Sequence, residues 1–460
     1  MKKKSYFLLV CLLLGCQDDK IEETPVLSTD VTAINFAAEG GSKKLQIISN
    51  ADWSIDCPNR WQVSRTKGNG DAEIIVTAQK NLLPESLEGV LTITAEGLTP
   101  VTVTVLQNGT GILPLITFPD IPEGGLTSDV RQWIRIRAEV TNAESGTFKW
   151  TVNGEEISTE KNLLHVMRTP GNYIFRLTAK NTYGESVAEV PVTVNAKTYD
   201  YNVTQVLEYL PAPGQFVNEM PMWVAGDTQE DMNTKALAAI RNGAISMGGF
   251  GGYVIMGFDH VLLNTPDAYD FQIKGNAMDT WSEPGVVMVS VDVNGNGLPD
   301  DEWYEIAGSA YNAPETVKDY QITYTLAQAE PMLITWVDNR GANGEIQKTP
   351  PHSQNHFPEW LGTNSYTLKG TLLSNNRVYD TSGNGTYWVS MPFGYGYVDN
   401  CLNNLDCSKT KLDWAVDKDG NPVKLKGIDF IKVHTGINSI AGWLGEVSTE
   451  IYGFEEYNLD

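Results

Sequence analysis

A chain of 460 residues has room for about three domains of ordinary size. Its formal charge of −24, from 33 Lys and Arg against 57 Asp and Glu, excludes a nucleic-acid partner, whose phosphates need basic side chains, and suits solubility and cation binding instead. With 42 Gly, 22 Pro and abundant Val and Thr, strand and turn formers dominate, so the fold expected is all-β.

The chain starts Met1-Lys2-Lys3-Lys4, continues in an apolar run from Tyr6 to Leu14, and reaches Gly15-Cys16. About nine apolar residues fall short of the roughly 20 that cross a bilayer, so the run reads as a secretion signal and not as a membrane anchor. Leu13-Leu14-Gly15-Cys16 resembles a bacterial lipobox. The resemblance implies that 1–15 is a lipoprotein signal peptide, that Cys16 is acylated, and that several acyl chains hold the protein to a membrane at about 0.8 kcal/mol per buried CH₂. Residues 16–27 form an acidic tether. Its run from Gln17 to Glu23 resembles the surface-export signal of Bacteroidetes lipoproteins, set against a plain solvated tether. Export of that kind implies a lipid anchor in the outer membrane with the protein facing outward.

Residues 28–109 alternate in short strands, Lys44–Ile48, Ala72–Ala78, Val90–Ala95 and Val101–Leu106, parted by Gly- and Asn-rich turns. That spacing predicts a small β-sandwich. Gly40-Gly41-Ser42, Asn50–Ile55, Trp61–Ser64, Gly68-Asn69-Gly70, Asn81 and Val105–Gly109 together resemble the BACON domain, a family proposed to bind carbohydrate or mucin. Trp53 and Trp61 could stack on sugars, but large rings are first of all core residues.

Residues 111–196 predict a second small immunoglobulin-like sandwich. Phe148–Gly154 reads as a strand entering a turn, and Thr169–Gly184 resembles the last hairpin of a PKD-type domain, without that family's Gly-Asp-Gly turn after Trp150. Such a module implies a spacer.

Residues 200–460 predict a larger β-sandwich or jelly roll with long loops. One short helix is expected over 233–242, capped by Asn233 or Thr234 and stopped at Gly243. Strands are expected at Tyr253–Phe258, Gly285–Val291, Tyr320–Leu326, Met332–Val337 and Asp429–His434.

The sharpest local motif in this part runs from Asp292 to Glu302. Oxygens at Asp292, Asn294, Asn296 and Asp300, with Gly297 at the sixth position, follow the spacing of an EF-hand loop. A hard Ca²⁺ takes six to eight oxygens, and a tight loop with alternating donors can supply them. Leu298 would contribute its carbonyl. Trp303 stands where the last bidentate Glu belongs, so Asp301 or Glu302 must serve. An Asx-turn hairpin without metal gives the same residues.

His352 and His356 lack the intervening Glu of a zinc protease and sit after prolines that disfavour a helix. His260 and His434 read as structural. Of the carboxylates, Asp259, Glu283, Glu305, Glu359 and Glu446 are candidates for a glycosidase pair, but no spacing enforces one. Nucleophile elbow, P-loop and dinucleotide fingerprint are absent from the sequence, and the chain is read as a non-enzyme.

Rings set among Gly and Asn are the other feature: Trp360, Tyr387, Trp388, Phe393, Tyr395, Tyr397 and Asn400, with Trp443 beyond. Exposed in loops, they suit a flat ligand with polar edges; the alternative is sandwich core. Cys401 and Cys407 can close a small disulfide loop in an oxidising compartment, which leaves Cys57 over.

Gly252–His260, Ser282–Gly297 with Asp301–Glu305, and Ile428–His434 with Gly445–Glu450 resemble the BtuH-type surface lipoproteins found with cobalamin-uptake systems. The resemblance spans most of 220–455. It implies capture of a corrinoid (vitamin B12, cobalamin, as ligand and not cofactor) and its delivery to a TonB-dependent outer-membrane transporter. The alternative is a surface glycan-binding protein or a glycoside hydrolase. No ligand-contact residue is implied.

Overall fold

The computed structural model describes residues 24–143, 146–329, 332–348 and 352–459. The signal peptide, Cys11, Cys16 and the tether as far as Glu23 lie outside the described residues. The protein is all-β, with the helix Gln229–Asn242 as the only α-helix among the described residues, and among them no helix is long and apolar enough to cross a membrane. Two compact units are present. One runs to Ile116 and takes in Val140–Thr147 and Thr178–Val187; the other holds Thr117–Glu139, Phe148–Leu177 and Ala188–Asp460. The division therefore passes through the module expected at 111–196.

In the first unit two sheets face each other. One orders Leu27–Thr29, Gly41–Ser49, Ala72–Ala78 and Trp61–Val63; the other orders Ala33–Phe36, Val101–Gln107, Leu87–Ala95, Asp52–Asp56 and Lys67–Asn69. Period-two patterning does the sorting. Leu45 and Ile47, Ile74 and Val76, Leu91 and Ile93, Val103 and Val105 all point into one core. Trp53 and Trp61 belong to it, each 3% exposed. A Cβ at Gly68 would fall 2.3 Å from the Trp53 ring, so only a glycine lets that strand close over the indole. Cys57 is half-buried, and its thiol donates to the Trp61 carbonyl at 3.2 Å.

In the second unit, Leu126–Asp129 pairs in parallel with the end of Gly184–Asn195, and Trp150, Phe175, Leu177, Val190, Val192 and Val194 turn inward. The larger part is built on a seven-stranded antiparallel sheet. Its order is Gln205–Leu210, Tyr253–Leu263, Gly427–Thr435, Gly285–Ser290, Trp303–Ile306 and Ala415–Val416, with Tyr397–Val398 also paired to Gly285–Ser290. Alternation again decides the faces. Val254, Met256, Val287, Val289, Ile431 and Val433 pack with Met232, Ala236 and Ile240 of the helix. The opposite face meets a four-stranded sheet, Asn343–Ile346, Ile334–Asp338, Val317–Leu326 and Ser365–Leu372, through Tyr253, Phe250, Tyr320 and Tyr324.

The helix starts four residues earlier than the sequence suggests. Thr228 caps it, its hydroxyl accepting from Asp231 N–H while the Asp231 carboxylate takes the Thr228 N–H. Asn233, expected as the cap, is buried within the helix. Its Oδ1 accepts from Tyr209 N–H at 2.9 Å and its Nδ2 donates to the Leu207 carbonyl at 3.0 Å, which ties the helix to the first strand of the large sheet.

Candidate functional site

The loops of the large module fold back over one corner and leave a cleft of about 570 Å³. Its walls are the rings of Phe216, Trp281, Tyr387, Trp388, Trp443 and Tyr452, and its floor carries Glu283, Glu446 and Glu450. Asn276, Thr280, Gln215, His352, Met220, Met278 and Leu444 complete the lining, which among the described residues contains no Lys or Arg. Tyr387 and Trp443 stand open at the rim, 60% and 61% exposed. Behind the walls, Trp281, Trp388 and Leu444 rest on a small core of Ile437, Ala441 and Val447. The Trp388 indole N–H donates to the Gly385 carbonyl at 3.2 Å, so this ring is aimed by a turn that Asp380 closes from below, accepting Gly385 N–H at 2.6 Å.

The floor is a set of buried acids held by backbone amides. Glu446 Oε1 accepts from Gln215 N–H at 2.6 Å, while its Oε2 is buried without a hydrogen-bond partner among the described residues. Glu283 Oε1 accepts from Ser448 N–H at 3.1 Å. Asp399, just beneath, takes the N–H groups of Asn276 and Ala277 on one oxygen at 2.8 and 2.9 Å and that of Glu450 on the other at 3.0 Å. The Asn276 amide donates to Glu450. Burial pushes the Glu446 carboxyl up to about 7. Burial, with Asp399 as a like-charged neighbour, raises Glu283 and Glu450 too. Desolvation disfavours the charged form of every one of these groups.

Sequence and structure agree here only in part. Tyr387 and Trp388 line the cleft; the other rings expected beside them do not. Phe393 and Tyr397 are core residues, 6% and 4% exposed, packed with Val286 and Leu373. Asn400 is fully buried, its amide clamping both the N–H and the carbonyl of Phe393 at 2.7 and 2.9 Å. Trp360 stacks on Tyr209 with centroids 5.9 Å apart and donates to Gln229. Tyr395 is exposed, but it leans on Trp414 at 4.7 Å, away from the cleft lining. The expected exposed cluster is thus corrected: Gly spacing around Tyr395 marks tight turns that tuck most of these rings inward. Trp281, Tyr452, Gln215 and Glu450 are cleft residues that the sequence reading missed. A legible trace exists for one of them, since Glu446 and Glu450 sit four apart in an otherwise uncharged segment.

Of the five candidate carboxylates, Glu283 and Glu446 meet in the cleft. Asp259 is paired with His260 at 2.8 Å, Glu305 with Lys318 at 2.9 Å, and Glu359 takes the Asn355 amide at 2.8 Å. His260, His356 and His434 are buried; His352 lies edge-on to Phe216 at 4.7 Å. Cys401 and Cys407 form a disulfide, with Cα atoms 6.3 Å apart.

The Asp292–Asp301 loop is wound around Asp292. That carboxylate accepts N–H groups from Gly295, Asn296 and Gly297 at 2.7, 3.1 and 3.1 Å. Asn296 Oδ1 accepts from Leu298 N–H, Asp300 takes the amides of Asn294 and Asn296, and Asp301 takes Val293 N–H. The Arg135 guanidinium lies 3.8 Å from Asp292. Among the described residues no group of three or more His, Cys, Asp or Glu side chains is placed to hold a metal ion. The donor set is oxygen-rich, the kind a hard cation takes, and Asn294, Asn296 and the Leu298 carbonyl would have to supply what the carboxylates do not.

Residues 114–181 match a PKD-like domain. No curated protein matches the chain. Solved structures with some likeness include a Bacteroides ovatus GH5 xyloglucanase in complex with a XXXG heptasaccharide, 19% identical over 23% of this chain and 22% of that one, TM-score 0.18. The chain thus spans 22% of the length of that enzyme. Extracellular domains 3-5 of Drosophila OTK are 13% identical over 38% of this chain and 63% of that one, TM-score 0.22. The PKD domain from human KIAA0319 is 17% identical over 18% of this chain and 83% of that one, TM-score 0.16.

Proposed function

We propose that this protein captures a corrinoid in the aromatic cleft of its large module and hands it to a TonB-dependent outer-membrane transporter, working from the cell surface on a lipid anchor at Cys16. The observation that carries this is the cleft lining: six aromatic rings around a floor of buried carboxyls whose charged forms burial disfavours, with no Lys or Arg among the described residues that line it. Flat apolar faces with amide-sized polar groups between them match a corrin ring fringed by neutral carboxamides. A corrinoid is larger than about 570 Å³, so one edge enters while the open rings of Tyr387 and Trp443 meet the rest. Titrating the intact chain with cyanocobalamin tests it: saturable tryptophan quenching supports capture, and a flat titration contradicts it. The Asp292–Asp301 loop, distinct from the cleft lining, is proposed as an accessory Ca²⁺ site.

A second reading has one observation in its favour. Glu283 and Glu446 share the cleft, and two carboxyl groups across a bond are what glycoside hydrolysis needs. Release of reducing sugar from glycans would support it; none, together with cyanocobalamin binding, would dismiss it.

A further inference from the structure

Glu446 stands out on the cleft floor. It is 5% exposed, its Oε1 is held by the Gln215 N–H at 2.6 Å, and its Oε2, although buried, has no hydrogen-bond partner among the described residues. A buried polar atom left unpaired is costly, and such atoms in native folds call for an explanation. Here the residue lines an open cleft, so a bound molecule can supply the missing hydrogen bond. We propose that Glu446 Oε2 is the specificity-determining atom of the cleft and that it takes a neutral hydrogen-bonding group of the ligand, a primary carboxamide, at the floor between the rings. This rests on the capture reading above.

The surroundings select a neutral group. Glu283 and Glu450 share the floor and Asp399 lies beneath, and no Lys or Arg lines the cleft to balance a second negative charge. A ligand carboxylate in the same place would be buried without a countercharge, which is costly. Burial disfavours the charged form of Glu446, and a protonated carboxyl and a primary amide each present a donor beside an acceptor, so they pair without moving charge. An ammonium group is the competing occupant, because it would draw the acids into their charged forms; it would need the carboxylate where the amide does not.

Cyanocobalamin binding to the intact chain, its E446Q variant and its E446L variant separates these cases. E446Q keeps a donor and an acceptor without a charge, and binding within about threefold of wild type is expected; E446L keeps the bulk without the hydrogen bond, and loss of about tenfold or more is expected. Equal loss in both variants shows that charge is needed and overturns the proposal. Undiminished binding by E446L overturns it too, while capture stands. Failure of the wild type to bind removes both. Should E446L not fold, the infrared carboxyl band of the wild type decides: a shift on adding cyanocobalamin that is missing in E446Q supports the proposal, and no shift overturns it.

Discussion

The Arg131 guanidinium donates to the Glu456 carboxylate at 2.6 Å, with both side chains almost fully buried. The other Glu456 oxygen lies 2.7 Å from His260 Nε2, whose Nδ1 meets Asp259 at 2.8 Å, and Arg131 also donates to the Asn458 carbonyl at 2.8 Å. Arg131 comes from the PKD-like segment and Glu456 from the last strand of the large module, 325 residues on. A charge pair this deep is stable only as a complete set. Removing one member strands the other, at about 3–5 kcal/mol. R131A should lower the unfolding free energy by that amount in urea titration, and R131M with E456Q by clearly less. A loss below about 1 kcal/mol in R131A, the range of a surface pair, would contradict the assignment.

The buried acid floor predicts a pH dependence of definite sign. Glu446 has an ordinary value of 4.5 and rises to about 7 in the fold. Its contribution is fully present below the unfolded value and is lost as pH rises through the folded one, because the folded state then holds a proton that the unfolded state has released. At about 1.4 kcal/mol per unit the loss is about 3 kcal/mol. E446Q should flatten that fall between about pH 4.5 and 7 in calorimetric unfolding. An unchanged slope would mean that the carboxyl is not desolvated.

The cap of the helix is separable from the site. T228A removes the hydroxyl that meets the Asp231 N–H and should cost about 1 kcal/mol, read as a lowered urea midpoint, without changing ligand affinity.

Calcium should raise the melting temperature of chelator-treated protein, by about 2.7 kcal/mol of stability at about 100 times its Kd. D300N and D301N should remove the effect while the Asp292 turn stays intact. No stabilisation by calcium would reduce the loop to an Asx-turn hairpin.

What could be read in advance follows from the range of the forces involved. Strand alternation is local, so Leu45 and Ile47 or Val287 and Val289 declare their inward face in the sequence. Helix capping is also local, and Thr228 with Asp231 marks the start, but Gln229-Glu230-Asp231 carries no apolar period, so propensity alone places the start at Asn233. The cleft is another matter. Trp281, Trp388 and the Trp443–Glu446 loop come from separate stretches of the chain, and only tertiary folding shows that Trp388 faces a cavity while Tyr397, nine residues on, faces the core. An aromatic residue between glycines reads alike in both places.

The most direct measurement of the central claim is calorimetric titration of cyanocobalamin into the intact chain and into W388A and W443A. One saturable site in the wild type, weakened about tenfold or more in each variant without loss of folding, is the predicted result. Absence of binding by the wild type, or binding untouched by both substitutions, would contradict capture in the aromatic cleft.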